Sequence, residues 1–125
     1  MCCLVILAVW LGWMYYSLLS QVMTGAFISH QAVALRQAIK SAAGAAPYAK
    51  GNDGLSGRDQ VLYNLNWYIH YYDSHTNRLN DSGVLGFVKI EREYVVRDAI
   101  ACLRKTGTND YGDDPYAWLK NECTH

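Results

Sequence analysis

The opening stretch MCCLVILAVWLGWMYYSLLS, residues 1–20, carries no charged residue, and its polar groups are Ser17, Ser20 and the hydroxyls of Tyr15 and Tyr16. At 1.5 Å of rise per residue, about 20 apolar residues match a hydrocarbon core about 30 Å thick. An all-round apolar helix needs a large protein or a bilayer to cover it. The chain has 125 residues, too few to wrap such a helix. The sequence therefore predicts a membrane anchor, with Leu4, Val5, Ile6, Leu7, Trp10, Leu11 and Trp13 meeting lipid. Trp10, Trp13, Tyr15 and Tyr16 fall in its second half, where an interfacial aromatic belt is expected. Cys2 and Cys3 at the tip are read either as lipidation or crosslinking positions or as two small apolar residues of the anchor.

Beyond the anchor the pattern changes. Ile28, Ala32, Leu35, Ile39 and Ala42 follow a +4, +3, +4, +3 spacing, one seam of a helix suited to packing against another helix or the chain's own domain. His30, Gln31, Arg36, Gln37 and Lys40 occupy the opposite side. No proline interrupts residues 1–46, so anchor and amphipathic stretch read as one helix. The segment SAAGAAPYAKGNDGLSG, residues 41–57, then supplies four turn glycines and Pro47 and ends it. The domain reading is an anchor over 1–20, a helical stalk over 21–44, a hinge over 45–57 and a small α-rich head over 58–125.

Within the head, Val61, Leu65, Tyr68 and Tyr72 recur at helical spacing, with Ser56 as cap. VLGFVKI, residues 84–90, reads equally as a short strand or as the start of a helix running on through EREYVVRDAIACLRK. In that second half Val88, Val95, Ala99 and Cys102 share a face. Arg104, Lys105 and Gly107 form a stop, and Asp114 before Pro115 opens a last short helix. The fold class is mostly α, with room for one small hairpin that would make the head α+β.

Small domains often need a crosslink. Cys102 on the apolar face and Cys123 after the final helix are the pair that would supply it. Closing a loop of about 20 residues contributes on the order of 3 kcal/mol in the chain-entropy picture. Such a bond requires an oxidising compartment, which places the head outside the cytoplasm. Arg36 and Lys40, the nearest cations after the anchor, argue weakly for the opposite side.

The chemistry-bearing residues are sparse. Eleven basic residues balance eleven acidic ones, which argues against nucleic acid, whose binders show a basic surplus. His70, Asp73 and His75 offer nitrogen and oxygen ligands of the kind zinc takes, but lack a fourth ligand and any HExxH or CxxC frame. NDYGDD, residues 109–114, lacks the spacing of a calcium loop and reads as a solvated turn and cap. Glu91 and Glu93 point to different helix faces. Asn80-Asp81-Ser82 matches a glycosylation tripeptide. No nucleophile elbow, phosphate loop or cofactor motif is present, so no enzyme and no cofactor are expected. Ten tyrosines and four tryptophans leave an aromatic surplus. Trp67, Tyr68, Tyr71 and Trp118 are its candidates for a protein-contact surface.

The expectation is a single-pass membrane subunit of a cell-envelope assembly, with lipid and other protein subunits as partners. The layout resembles that of pilin-like filament subunits: an apolar helix, its amphipathic continuation, a compact head and cysteines near the C-terminus. It departs from that class at Val5, where pilins generally carry a glutamate. A small metal-binding accessory protein using His70, Asp73 and His75 is the third reading.

Overall fold

The computed structural model describes residues 2–44 and 54–123, with side chains from Cys3 onward. Among these residues the chain forms four helices and no strand: α1 (Cys2–Gly44), α2 (Gly57–Thr76), α3 (Ser82–Thr106) and α4 (Pro115–Glu122). VLGFVKI lies wholly inside α3, which settles its ambiguity as helix and leaves no hairpin among the described residues. Most of the hinge expected over 45–57, residues 45–53, lies outside them.

Each helix after the first begins at a cap the sequence supplies. Ser56 and Asp59 form a reciprocal capping box on α2, satisfying two of the orphan donors at a helix start. Asp81 Oδ1 accepts from Val84 N at 2.9 Å to open α3. Asp114 accepts from Tyr116 N at 3.0 Å, with Pro115 in the first helical position of α4.

Close approaches fix the helix directions. A Cβ at Gly57 would lie 3.0 Å from Ala42 Cα, so α2 starts beside the end of α1. Gln21 Oε1 accepts from the backbone N–H groups of Asn80 (2.8 Å) and Asp81 in the α2–α3 loop. Thus α2 runs back along α1 to its middle. A Cβ at Gly25 would meet Val84 Cγ1 at 2.7 Å, and Ser29 bonds Glu91, so α3 ascends parallel to α1. The result is an up-down-up bundle of α2, α3 and the second half of α1. The short α4 lies along α2, from Asp73 near its end to Arg58 near its start.

The core joins Ile28, Ala32, Leu35, Ala38 and Ala42 of α1 to the apolar faces of α2 and α3. Its alanines permit the close spacing that Gly25 and Gly57 also require. Ile39 packs against this core from its margin. Residues 21–44 therefore form one of the three walls of the bundle as well as its connection to the anchor. Trp118 of α4 closes the core with no exposed surface; its indole N–H donates to Gly112 O at 2.8 Å.

Candidate functional site

The feature with the clearest physical demand is the surface of α1 before Gln21. Leu4, Val5, Ile6, Leu7, Trp10, Leu11 and Trp13 are all exposed, from 75% at Leu4 to 51% at Leu11. One helix of the described residues is long and apolar enough to cross a membrane, and none of its most apolar window is buried within the protein. No other described residue covers that apolar area. Exposed contiguous apolar patches of this size mark lipid or protein contact.

At the junction, polar groups fix the anchor to the bundle. Gln21 clasps the α2–α3 loop as above; the bond from Thr24 Oγ1 to Ser20 O at 2.9 Å stays within α1. The rigid connection continues inside. Ser29 Oγ donates to Glu91 Oε2 at 2.6 Å, and Arg36 Nη1 lies 3.6 Å from Glu91 Oε1. Glu91 is buried and Arg36 is not, so the pair spans the edge of the core. Nearby, the Tyr68 hydroxyl is buried with no hydrogen-bond partner. Burial, and then the negative charge of Glu91, push its phenol well above its ordinary value. Neutral, unpaired and enclosed, it has no evident chemical task.

At the far end Arg58 is nine-tenths buried. Its guanidinium donates to Leu103 O at 2.7 Å, to Thr106 Oγ1 at 3.2 Å and to Glu122 Oε1 at 2.9 Å. One side chain of α2 thereby ties the last turn of α3 to the end of α4. Gly107 makes this possible, because a Cβ there would fall 2.5 Å from Arg58 Nη1. Its φ of −134° is extended and open to any residue; the glycine serves close approach, not backbone conformation.

The residues proposed for chemistry do not assemble. Asp73 Oδ2 accepts from Tyr116 Oη at 2.6 Å. The His75 ring stacks on Tyr71 at 3.9 Å between centroids, with Nδ1 2.9 Å from Tyr71 O. His70 lines a shallow recess with Asn66 and Trp67. Among the described residues no group of three His, Cys, Asp or Glu side chains is placed to hold a metal.

Two expectations are corrected. Cys102 and Cys123 are free thiols, not a disulfide. Cys102 faces α1, in a cleft with Ile39, Lys40 and Ala43, whereas Cys123 caps α4 at the surface. Burial pushes both thiols up, with Glu122 adding to the effect at Cys123; both are held protonated and poorly nucleophilic. Of the four aromatic contact candidates, Tyr68 and Trp118 belong to the core with no exposed surface. The helical period of α2 carries Tyr68 to the same side as Leu65 and Val61, and Trp118 is the large buried side chain of α4. Tyr71 is half-buried under His75. Trp67 alone is broadly exposed, and it meets exposed Tyr63 edge to face at 6.4 Å.

The acidic turn is organised by one cation. Arg104 bonds Asp110 at 3.0 Å and Asp113 at 2.9 Å, and the Gly112 N–H donates to Asp110 at 2.9 Å. Those bonds, the backbone one foremost, hold the Asp110 carboxyl below its ordinary range. Sequence reading missed Gln21, Arg58 and the Ser29–Glu91–Arg36 link. None carries a motif, since each works through a neighbour remote in sequence.

No known family matches. The chain likewise shows no significant match to a curated protein or to a solved structure.

Proposed function

We propose that the chain is a membrane-anchored, non-enzymatic subunit of a cell-envelope assembly. The observation that carries this is the uncovered apolar half of α1, continuous with a second half built into the bundle core. A tether needs only a flexible link to its cargo. Here the spanning element is itself a wall of the head, which suits a part that must present the head in a fixed relation to the membrane. The exposed Tyr63–Trp67 pair supplies a protein-contact surface of the residue types favoured at such interfaces.

We place the head outside the cytoplasm. After the anchor the first cation is Arg36, and it is tied to Glu91. In sequence, no Lys or Arg lies within fifteen residues after the anchor on the head side.

Crosslinking in intact membranes, followed by affinity purification and identification of joined chains, tests the assembly role. A detergent-solubilised monomer with no crosslinked partner overturns it. Mass spectrometry of the membrane-extracted chain tests the anchor itself. Loss of residues 1–20 would mean a cleaved signal sequence instead. In a chain with Cys2 and Cys3 replaced by serine, an impermeant maleimide applied to intact cells should label Asp113→Cys, a position whose side chain is almost fully solvent-facing; labelling only after lysis would reverse the orientation.

A further inference from the structure

Resting on the reading of the chain as a membrane-anchored assembly subunit, we propose that it assembles with itself: the outer face of α2 on one copy packs into the groove between α1 and α3 on the next. Ridge and groove lie on opposite sides of the bundle. The buried side chains of α2, Val61, Leu65, Tyr68 and Tyr72 among them, face α1 and α3. Asp59, Tyr63, Trp67 and His70 follow at +4, +4 and +3 on its other side, and all four are exposed.

The groove joins two recesses. Nearer the anchor, Ala26 of α1 and Phe87 of α3 line one. At the far end, Lys40 of α1 and Ala101 and Lys105 of α3 line the other. Val33 is seven residues from both Ala26 and Lys40, and Tyr94 is seven from both Phe87 and Ala101. Helical geometry therefore sets Val33 and Tyr94 on the same two walls, midway along. Each is about half exposed. No charged side chain lines the lower recess. The upper one holds Arg36, Lys40, Lys105 and Asp98. Arg36 pairs with Glu91, and Asp98 with Arg97. Among the described residues no carboxylate lies within ion-pair distance of Lys40 or Lys105.

Two copies anchored in one bilayer stand at the same height, whatever the depth of the span, and this fixes their register. Gly57 starts α2 beside Ala42, so Asp59 is level with Lys40. Trp67 lies eight residues, about 12 Å, from Asp59 toward the anchor, and Val33 lies seven, about 10 Å, from Lys40 in the same direction. The carboxylate of the ridge thus meets the two lysines of the next copy. The Tyr63–Trp67 pair meets Val33 and Tyr94, an aromatic anchor on an apolar wall. Because ridge and groove are different surfaces, the contact is heterologous and repeats, closing a ring or extending a row in the membrane plane.

The test places p-benzoylphenylalanine, one site at a time, at Trp67 and at Tyr94 of the full chain in its own membranes. After illumination the joined chains are digested and the crosslinked residues mapped by mass spectrometry. Position 67 of one copy is expected to join the 87–94 segment or the neighbourhood of Val33 on another, and position 94 to join α2 of another. Lys40→Glu with Lys105→Glu, both at exposed positions, should cut that yield about tenfold, since like charges then face each other; an unchanged yield overturns the register. Position 67 joined to position 67 shows a symmetric pair and overturns the ridge-in-groove contact. Capture of a different chain alone overturns self-assembly and leaves the assembly role standing. No chain captured at either site overturns both.

Discussion

Replacing Arg58 with methionine keeps most of the side-chain volume and removes the guanidinium that joins α2, α3 and α4. Three bonds are lost, and they are unequal. Leu103 O lies in the last turn of α3 and Leu103 itself is fully buried; without Arg58 it keeps only the longer bond from Thr106 Oγ1 at 3.4 Å. Loss of the short charge-assisted bond to this buried carbonyl costs about 1–3 kcal/mol. Thr106 retains its bond to Cys102 O at 2.9 Å, so its loss is minor. Glu122 is one-fifth exposed and regains water, so the ion pair contributes less than a fully enclosed one, about 1 kcal/mol. The expected total for Arg58→Met is about 3 kcal/mol, which for roughly 100 residues lowers the melting temperature by about 15 °C. The assay is thermal unfolding in detergent, followed by near-UV circular dichroism. Trp118 and Tyr68 report on the core there, independently of helix content in the anchor. Glu122→Gln should cost only about a third as much. Gly107→Ala should act in the same direction as Arg58→Met, because its Cβ displaces the held guanidinium. A loss under about 1 kcal/mol for Arg58→Met, or an equal loss for Glu122→Gln, refutes the reasoning. The second result would mean that the ion pair, and not the capping of α3, carries the effect.

Four further outcomes are expected. Leu11→Arg puts a cation in the middle of the anchor at a cost of about 3 kcal/mol, so carbonate-washed membranes should lose the chain; unchanged retention would refute the span. Gly25→Leu should destabilise the bundle by about 1–3 kcal/mol through collision with Val84, and Val84→Ala should recover part of that loss; no recovery in the double variant would locate the strain elsewhere. Tyr68→Phe removes a buried, unpaired hydroxyl and should leave stability unchanged or raise it by up to about 1 kcal/mol, whereas a clear loss would reveal a partner for that oxygen. Because the Asp110 carboxyl is lowered in the folded state, its contribution is present above the unfolded value of 3.8 and is lost as pH falls through the lower folded value. A carbon-detected NMR titration should show it, with Arg104→Gln moving the midpoint only part of the way back because Gly112 still donates; a midpoint at the ordinary value refutes it.

Much of the helical layout is legible in the sequence because local signals agree with the global fold. The apolar run, the 3.6-residue period of α2 and α3, and the caps at Ser56 and Asp114 all act within a few residues of themselves. VLGFVKI was ambiguous for a physical reason. Its β-branched and aromatic residues suit a strand, and only the Asp81 cap and the long apolar period of the following residues extend the helix back over it. The side chains that join helices to one another are less legible. A charge such as Arg58, one residue into a helix, is normally solvated, and nothing local announces that a carbonyl forty-five residues away will need it. Tyr68 and Tyr71 look alike in sequence, yet one lies fully in the core and the other does not. The cysteines misled because spacing fixes loop length but not the face each thiol takes, and α1 occupies the face toward which Cys102 turns.

The absence of a break in α1 has a structural consequence. Its 43 residues turn about 100° per residue, so each exposed side chain before Gln21 holds a fixed angular phase to the core seam beyond it. Gln21 and Gly25 prevent that phase from relaxing, the first by clasping the α2–α3 loop and the second by admitting Val84 against the helix backbone. Rotation of the head about the α1 axis is thereby coupled to rotation of the exposed apolar half of that helix. Contacts made by Trp10 or Trp13 on that half and by Trp67 on the head are then not independent. A partner that selects one face of the anchor also sets the direction in which α2 looks. This coupling, absent from any chain with a flexible link between span and head, is the physical basis for reading the anchor as part of an assembly surface.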